Sequence, residues 1–343
     1  MASGRIGTIL RANIVLFGAL FANLGIAIAK FVAAALTGSS SMLSEGFHSL
    51  VDSGNQLLLL YGQHRAKRPP DARHPFGYGR ELYFWAFVVA ILIFALGAGI
   101  SIYEGWRHIR EPEPLRDPTI NYIVLAIAVM LEGSSWLIAV RAFARAKGES
   151  GWWEAVRDSK DPAGFIVLFE DSAALAGLLV AAAGIWASHA WSDPRIDGAA
   201  SIVIGTILAG VAVLLAREAK GLLIGERADP LLVERIRTLV AANPGITGVN
   251  HVRTIHTAPD AIFVAISADF DDRLTMGEGE ALIETIEARL RKEFREISSI
   301  YVRPEKREDA VLDQGASVQP DGAPGLNGAQ SGASNEQGGK ALP

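Results

Sequence analysis

The chain has no cysteine among its 343 residues. That absence excludes disulfides, thiolate zinc sites and cysteine nucleophiles, so any metal ligand must be His, Asp, Glu or backbone. Charge is scarce too. Charged residues make up 20% of the chain against 50% hydrophobic ones, and the mean hydropathy of +0.26 exceeds what a water-soluble globular domain normally reaches. The formal net charge is -5, and the basic residues sit near the ends of apolar runs rather than in one large patch. Nucleic acid is therefore not an expected partner. No solenoid repeat is visible. The first apolar run is too long for a signal-peptide core and lacks a clear small-residue cleavage site, so it is read as a membrane span.

What the sequence does have is a set of apolar windows. A spanning helix needs about 20 mainly apolar residues, and six windows qualify: 14–36, 41–63, 82–103, 120–143, 162–187 and 196–216. The second and fifth are the least hydrophobic. Lys and Arg cluster before the first window, in 65–80, in 141–160 and after the sixth, whereas 37–40 and 188–195 are nearly free of them. By the positive-inside rule both termini are cytosolic. From Glu226 the pattern becomes that of a soluble unit, with helices over 230–242 and 279–294 and strands over 249–257, 261–270 and 297–303. This α-β-β-α-β unit buries little core alone, so pairing with a second copy is a natural way to stabilise it. Beyond Glu305 the composition is Gly, Ala, Ser, Gln, Asn and Pro with almost no large apolar residue, and a disordered tail is expected.

Ionisable side chains inside a span are costly and by default mark a functional pathway. The second window holds Glu45, His48 and Asp52. His48 and Asp52, four apart, stack on one helix face, with Glu45 another turn back. The fifth window supplies Glu170 and Asp171, which as neighbours lie about 100° apart around the axis, so one of them is the better candidate ligand. Neither has a basic residue within a turn on its own helix, so a bound cation is the missing partner, and the imidazole favours zinc or another first-row transition ion. Glu132 in the fourth window, beside Ser134 and Ser135, is either a proton-handling group or a carboxyl kept neutral by burial and bonded to those hydroxyls. Lys30 and Arg141 are read as snorkelling to the headgroups. In the loop after the second window, Asp71 and His74 make a weak, open second site or simply belong to a loop lying on the membrane surface. His251 and His256 differ in strand parity and are not expected to share a metal.

Five stretches carry a family resemblance: SSSMLSEGFHSLVDSGNQ, HPFGYGR, FALGAGISIYEG, LFEDSAALAGLL and GLLIGERAD. Over residues 14–305 the chain resembles the cation diffusion facilitators, in the branch that includes the mitochondrial zinc transporter of animals. The resemblance implies an α-helical membrane protein with six transmembrane helices plus a C-terminal ferredoxin-like α+β cytosolic domain, working as a homodimer that exports zinc or a similar ion from the cytosol by alternating access, usually against protons. It assigns His48, Asp52 and Asp171 as metal ligands. The family's usual histidine four residues before that aspartate is Val167 here, leaving Glu170 as candidate fourth ligand. The loop site retains Asp71 and His74, with Tyr78 replacing a histidine. Asn250, Ser267 and Glu280 stand where some relatives bind metal in the soluble domain.

The expectation is a transmembrane domain over 1–225, a cytosolic domain over 226–305 and a disordered tail over 306–343. The chain is expected to be a zinc/proton antiporter, not an enzyme, with no cofactor beyond the transported Zn²⁺ and Glu132 as a proton-coupling residue. Alternatives are export of Mn²⁺, Fe²⁺ or Co²⁺, or a non-transporting membrane metal sensor or scaffold. The expected partners are a second copy, a divalent ion, protons and the lipid bilayer. The expected location is a cell membrane, specifically a bacterial inner membrane.

Overall fold

The computed structural model describes residue 20 and residues 23–113, 116–149, 151–308 and 310. The start of the first expected span and residues 311–343 of the expected tail lie outside the described residues. The helices in chain order are α1 (Asn23–Thr37), α2 (Ser40–Ala66), α3 (Glu81–Arg110), α4 (Thr119–Ala146), α5 (Trp152–Asp158), α6 (Pro162–Trp191) and α7 (Arg195–Ile224). Among the described residues α3, α4, α6 and α7 are long and apolar enough to cross a membrane. Helix α2 has 27 residues, so length is not what excludes it. Its Glu45, His48, Asp52, Asn55 and Gln56 dilute the apolar content, which is what a helix carrying a polar site across a bilayer would show.

Large apolar side chains point outward from α4, among them Met130 at 76% exposure and Ile138 at 68%. In water such a face would be a liability, whereas lipid tails accept it without cost. Inward, α3 and α7 meet through small residues. A Cβ on Gly198 would lie 2.8 Å from the Gly105 carbonyl oxygen, so this crossing needs glycine on both helices. Helix α3 also contains a π turn over Ile93–Ala98, for which the sequence offers no signal.

The start of α2 is anchored from α7. Asp197, fully buried, accepts from the Ser40 N–H at 2.6 Å, the Ser41 N–H at 3.2 Å and the Ser39 hydroxyl at 3.2 Å, and it also bonds the Ser41 hydroxyl. The first N–H groups of a helix have no partner inside it, and a carboxylate there satisfies them and complements the helix dipole.

Gly225, with φ of 120°, turns the chain out of α7 into the C-terminal unit. There α8 (Pro230–Ala241), β1 (Ile246–Ala258), β2 (Ala261–Phe270), α9 (Met276–Glu293) and β3 (Ile297–Pro304) follow in the expected order. The sheet runs β1-β2-β3, antiparallel between the first pair (Thr254 opposite Val264) and parallel between the second (Val264 opposite Ile300). Alternate residues of β2, namely Ile262, Val264, Ile266 and Ala268, are buried and pack with Ile236 and Val240 of α8 and Ile286 and Leu290 of α9. That is the period-two pattern of a sheet with one face covered by helices. On the other face the loop between α2 and α3 docks. Phe76 meets Phe263 edge-on at 5.4 Å, and Phe263 lies 5.4 Å from Tyr301.

Candidate metal centre

The polar stripe of α2 faces α6 and α4. His48 is 1% exposed, its Nδ1 stands 3.5 Å from Asp52 Oδ1, and neither ring nitrogen has a hydrogen-bond partner. Asp52 Oδ1 is also buried without a hydrogen-bond partner. Unsatisfied polar atoms buried side by side are uncommon and call for a specific cause. From α6, the buried Glu170 accepts from Asn55 Nδ2 at 2.6 Å and lies within hydrogen-bonding reach of the Asp52 carboxyl. Asp171 turns the other way and accepts from the Ser135 hydroxyl of α4 at 2.9 Å.

Between them is a cavity of about 40 Å³ lined in part by Asp52, Glu132, Val167, Glu170 and Asp171. Its volume is that of one or two waters, room for a small cation stripped of most of its hydration shell. Glu170 and Asp171 thus reach one cavity from two sides, which resolves the angular conflict between neighbouring residues on a helix. Val167 lines the same cavity, and a valine there cannot coordinate. His48 is not part of the lining and stands behind Asp52. Among the described residues no three His, Asp or Glu side chains converge as a ready metal cage. The predicted residues are neighbours, but their side chains do not close on a single point.

Two expectations need correction. Lys30 does not snorkel. It is fully buried and donates to Glu45 Oε2 at 3.1 Å, to the Ser49 hydroxyl at 2.7 Å and to Glu132 Oε1 at 2.9 Å. Along a helix that is apolar all round, sequence does not fix which way a lone lysine points, and two acids on other spans outcompete the headgroups. For the same reason Glu132 is not bonded to its neighbouring serines. The Ser134 hydroxyl donates to the Leu131 carbonyl and Ser135 serves Asp171. Asp197 was missed as well, although an aspartate at the start of an apolar window is a legible sign of a cap.

In the loop, His74 Nδ1 and Asp71 Oδ1 are 3.5 Å apart and both residues are about half exposed. The Asp71 carboxyl is already occupied. It accepts from the Tyr78 hydroxyl at 2.7 Å and from the N–H groups of His74 and Arg73 at 2.7 and 2.9 Å, and these bonds, that of Tyr78 foremost, hold it below the usual carboxylate range. The His74 ring rests against Tyr78. This arrangement fixes a turn. In the C-terminal unit Asn250 donates to the Ser267 hydroxyl at 3.1 Å, and Ser267 in turn bonds Glu305, so the groups at these positions satisfy one another.

Residues 16–224 match the family described as cation efflux transmembrane domain, and residues 228–307 match the cytoplasmic domain of cation efflux proteins. The chain belongs to the cation efflux family, and the resemblance to cation diffusion facilitators is borne out. Among its relatives, the proton-coupled zinc antiporter SLC30A9, mitochondrial, of Xenopus laevis is 34% identical over 71% of this chain and 44% of its own length. The human protein of the same name is 31% identical over 84% of this chain and 50% of its own. Metal tolerance protein C4 of Arabidopsis thaliana is 29% identical over 75% of this chain and 57% of its own. The chain spans about half the length of these relatives. The expected bacterial inner membrane is corrected by them, since the frog and human proteins are both named as mitochondrial.

Proposed function

We propose that the chain exports zinc across its membrane in exchange for protons, holding the ion in the cavity between α2 and α6. The observation that carries this reading is the small cavity lined by Asp52, Glu170 and Asp171, with the buried His48 ring behind Asp52 and its two nitrogens and an Asp52 oxygen left without partners. Two carboxyls as close as Asp52 and Glu170 cannot both be charged in a low-dielectric site without a proton or cation between them. A dication entering there displaces protons and protons re-entering displace it, which is antiport by electrostatics. His48 would join the shell by a small rotation, and Asp171 would approach from the α4 side. The protons are placed on this carboxylate group rather than on Glu132, whose carboxylate is taken up by Lys30.

A harder ion, Mn²⁺, Fe²⁺ or Co²⁺, is the second reading, favoured by the oxygen-rich lining that results from Val167 standing where an imidazole would soften the site. The proposal includes six spans, with α1 and α2 joining the four apolar helices, and a unit from residue 226 to 305 that pairs with its copy in a homodimer. The mitochondrial membrane is the location that the relatives' names support. The test is flux in proteoliposomes over a panel of divalent ions with an imposed pH gradient. Zinc uptake that rises with the gradient is expected. Zinc binding without flux of any ion under any gradient would leave the chain a sensor or scaffold.

A further inference from the structure

We propose that Lys30 is a tethered counter-ion that keeps Glu45 and Glu132 out of the transported ion's coordination shell, and so limits each protomer to one loosely held cation. The inference rests on the reading of the α2–α6 cavity as the ion site.

An ammonium group inside a span is expensive unless every donor is used. Lys30 has three donors, and all are used, by two residues of α2 and one of α4: Glu45 at 3.1 Å, Ser49 at 2.7 Å and Glu132 at 2.9 Å. The acids are less well served. Glu45 Oε1 and Glu132 Oε2 are buried with no partner, and a Cβ on Gly177 of α6 would collide with that Glu45 oxygen, so Glu45 packs against α6 where glycine leaves room for it. The cluster is satisfied on its cationic side and sets two acids against one ammonium, a formal surplus of one negative charge.

Its position gives this charge a role. Glu132 and Ser49 both line the cavity that Asp52, Glu170 and Asp171 enclose. The ammonium therefore lies directly behind the wall of the ion site. With the four acids that line the cavity and Glu45, five carboxyl groups gather in this part of the bundle, and Lys30 is bonded to two of them. Freed of the lysine, Glu132 would offer an additional oxygen ligand to an ion at Asp52, and Glu45 could complete a second position. A divalent cation binds more tightly as carboxylate charge accumulates around it, and an exporter that bound its cargo so would release it slowly. A residue that merely pinned α1, α2 and α4 together would make the same three bonds. Ion affinity and ion count separate the two roles.

The test is zinc binding to the full chain in nanodiscs, measured by equilibrium dialysis at one fixed pH. Lys30→Met is expected to tighten zinc by about tenfold or more, or to take up a second zinc per protomer, while Lys30→Arg stays near wild type, since only the former releases carboxylate ligands. The double variant Lys30→Gln/Glu45→Gln keeps the cluster's formal charge and frees Glu132 alone. It too should bind zinc about tenfold more tightly, and it reads the proposal even where Lys30→Met does not fold. Wild-type or weaker zinc affinity, with no second zinc bound per protomer, in either folded variant overturns the proposal. A wild-type chain that binds zinc no better than Asp52→Asn overturns the ion-site reading instead.

Discussion

Asp197→Ala tests how α2 is held in place to present the site. The carboxylate accepts from two backbone N–H groups and two serine hydroxyls at the start of the helix. A hydrogen bond to a charged group contributes about 1.5–3 kcal/mol net, so losing both backbone bonds costs about 3–6 kcal/mol. The hydroxyls add little, because Ser39 and Ser41 already face each other at 3.2 Å and Ser40 donates to Ser201 at 3.0 Å. Deletion also leaves buried N–H groups unsatisfied, which places the effect towards the upper end of that range. At about 2–4 °C per kcal/mol for a unit of this size, the midpoint of thermal unfolding should fall by at least about 6 °C. Asp197→Asn, which keeps one acceptor oxygen, should fall in between. The assay is thermal unfolding of the purified chain in detergent, with and without zinc. A midpoint within about 2 °C of wild type would refute the argument that this carboxylate anchors α2.

Three further outcomes follow from the geometry. Glu170→Gln and Asp171→Asn should both reduce zinc flux, Glu170→Gln the more strongly because it removes the carboxylate that shares a proton or ion with Asp52. Equal flux for Glu170→Gln and wild type would remove Glu170 from the site. Val167→His adds an imidazole at the cavity wall and should tighten zinc binding by about tenfold and shift the zinc/manganese flux ratio towards zinc, and unchanged binding would place the ion away from this wall. The Asp71 carboxyl is held low, so its support of the loop turn is present above the ordinary carboxylate pKa of about 3.9 and is lost as pH falls through the lowered value. Tyr78→Phe should move its titration back up, and an unshifted titration followed by NMR would show that the tyrosine bond is not the cause.

The sequence revealed the site more fully than the packing behind it. His48 and Asp52 could be paired because helical spacing alone stacks them, and Glu170 and Asp171 were conspicuous as acids in an apolar run. The α-β-β-α-β order was legible from the alternation of β2 and the amphipathic helices around it. The partners of Lys30 were not, because α1 has no polar face to fix its rotation, and contacts between helices distant in sequence leave no periodic trace. The seven-residue α5 and the π turn in α3 were also missed, both being too short to leave a periodic trace. Asp171 shows the opposite case. Spacing set it in conflict with Glu170, and only the placement of Ser135 on α4 explains how both can reach one cavity.

The most direct test of the central claim is pH-gradient-driven zinc flux through proteoliposomes holding wild type or Asp52→Ala at equal amounts of folded protein. Asp52 borders the cavity, is stacked against His48 and lies within reach of Glu170, so every version of the proposed ion shell includes it. The account predicts flux for wild type and none above protein-free vesicles for Asp52→Ala. Near-normal zinc flux in Asp52→Ala would contradict it.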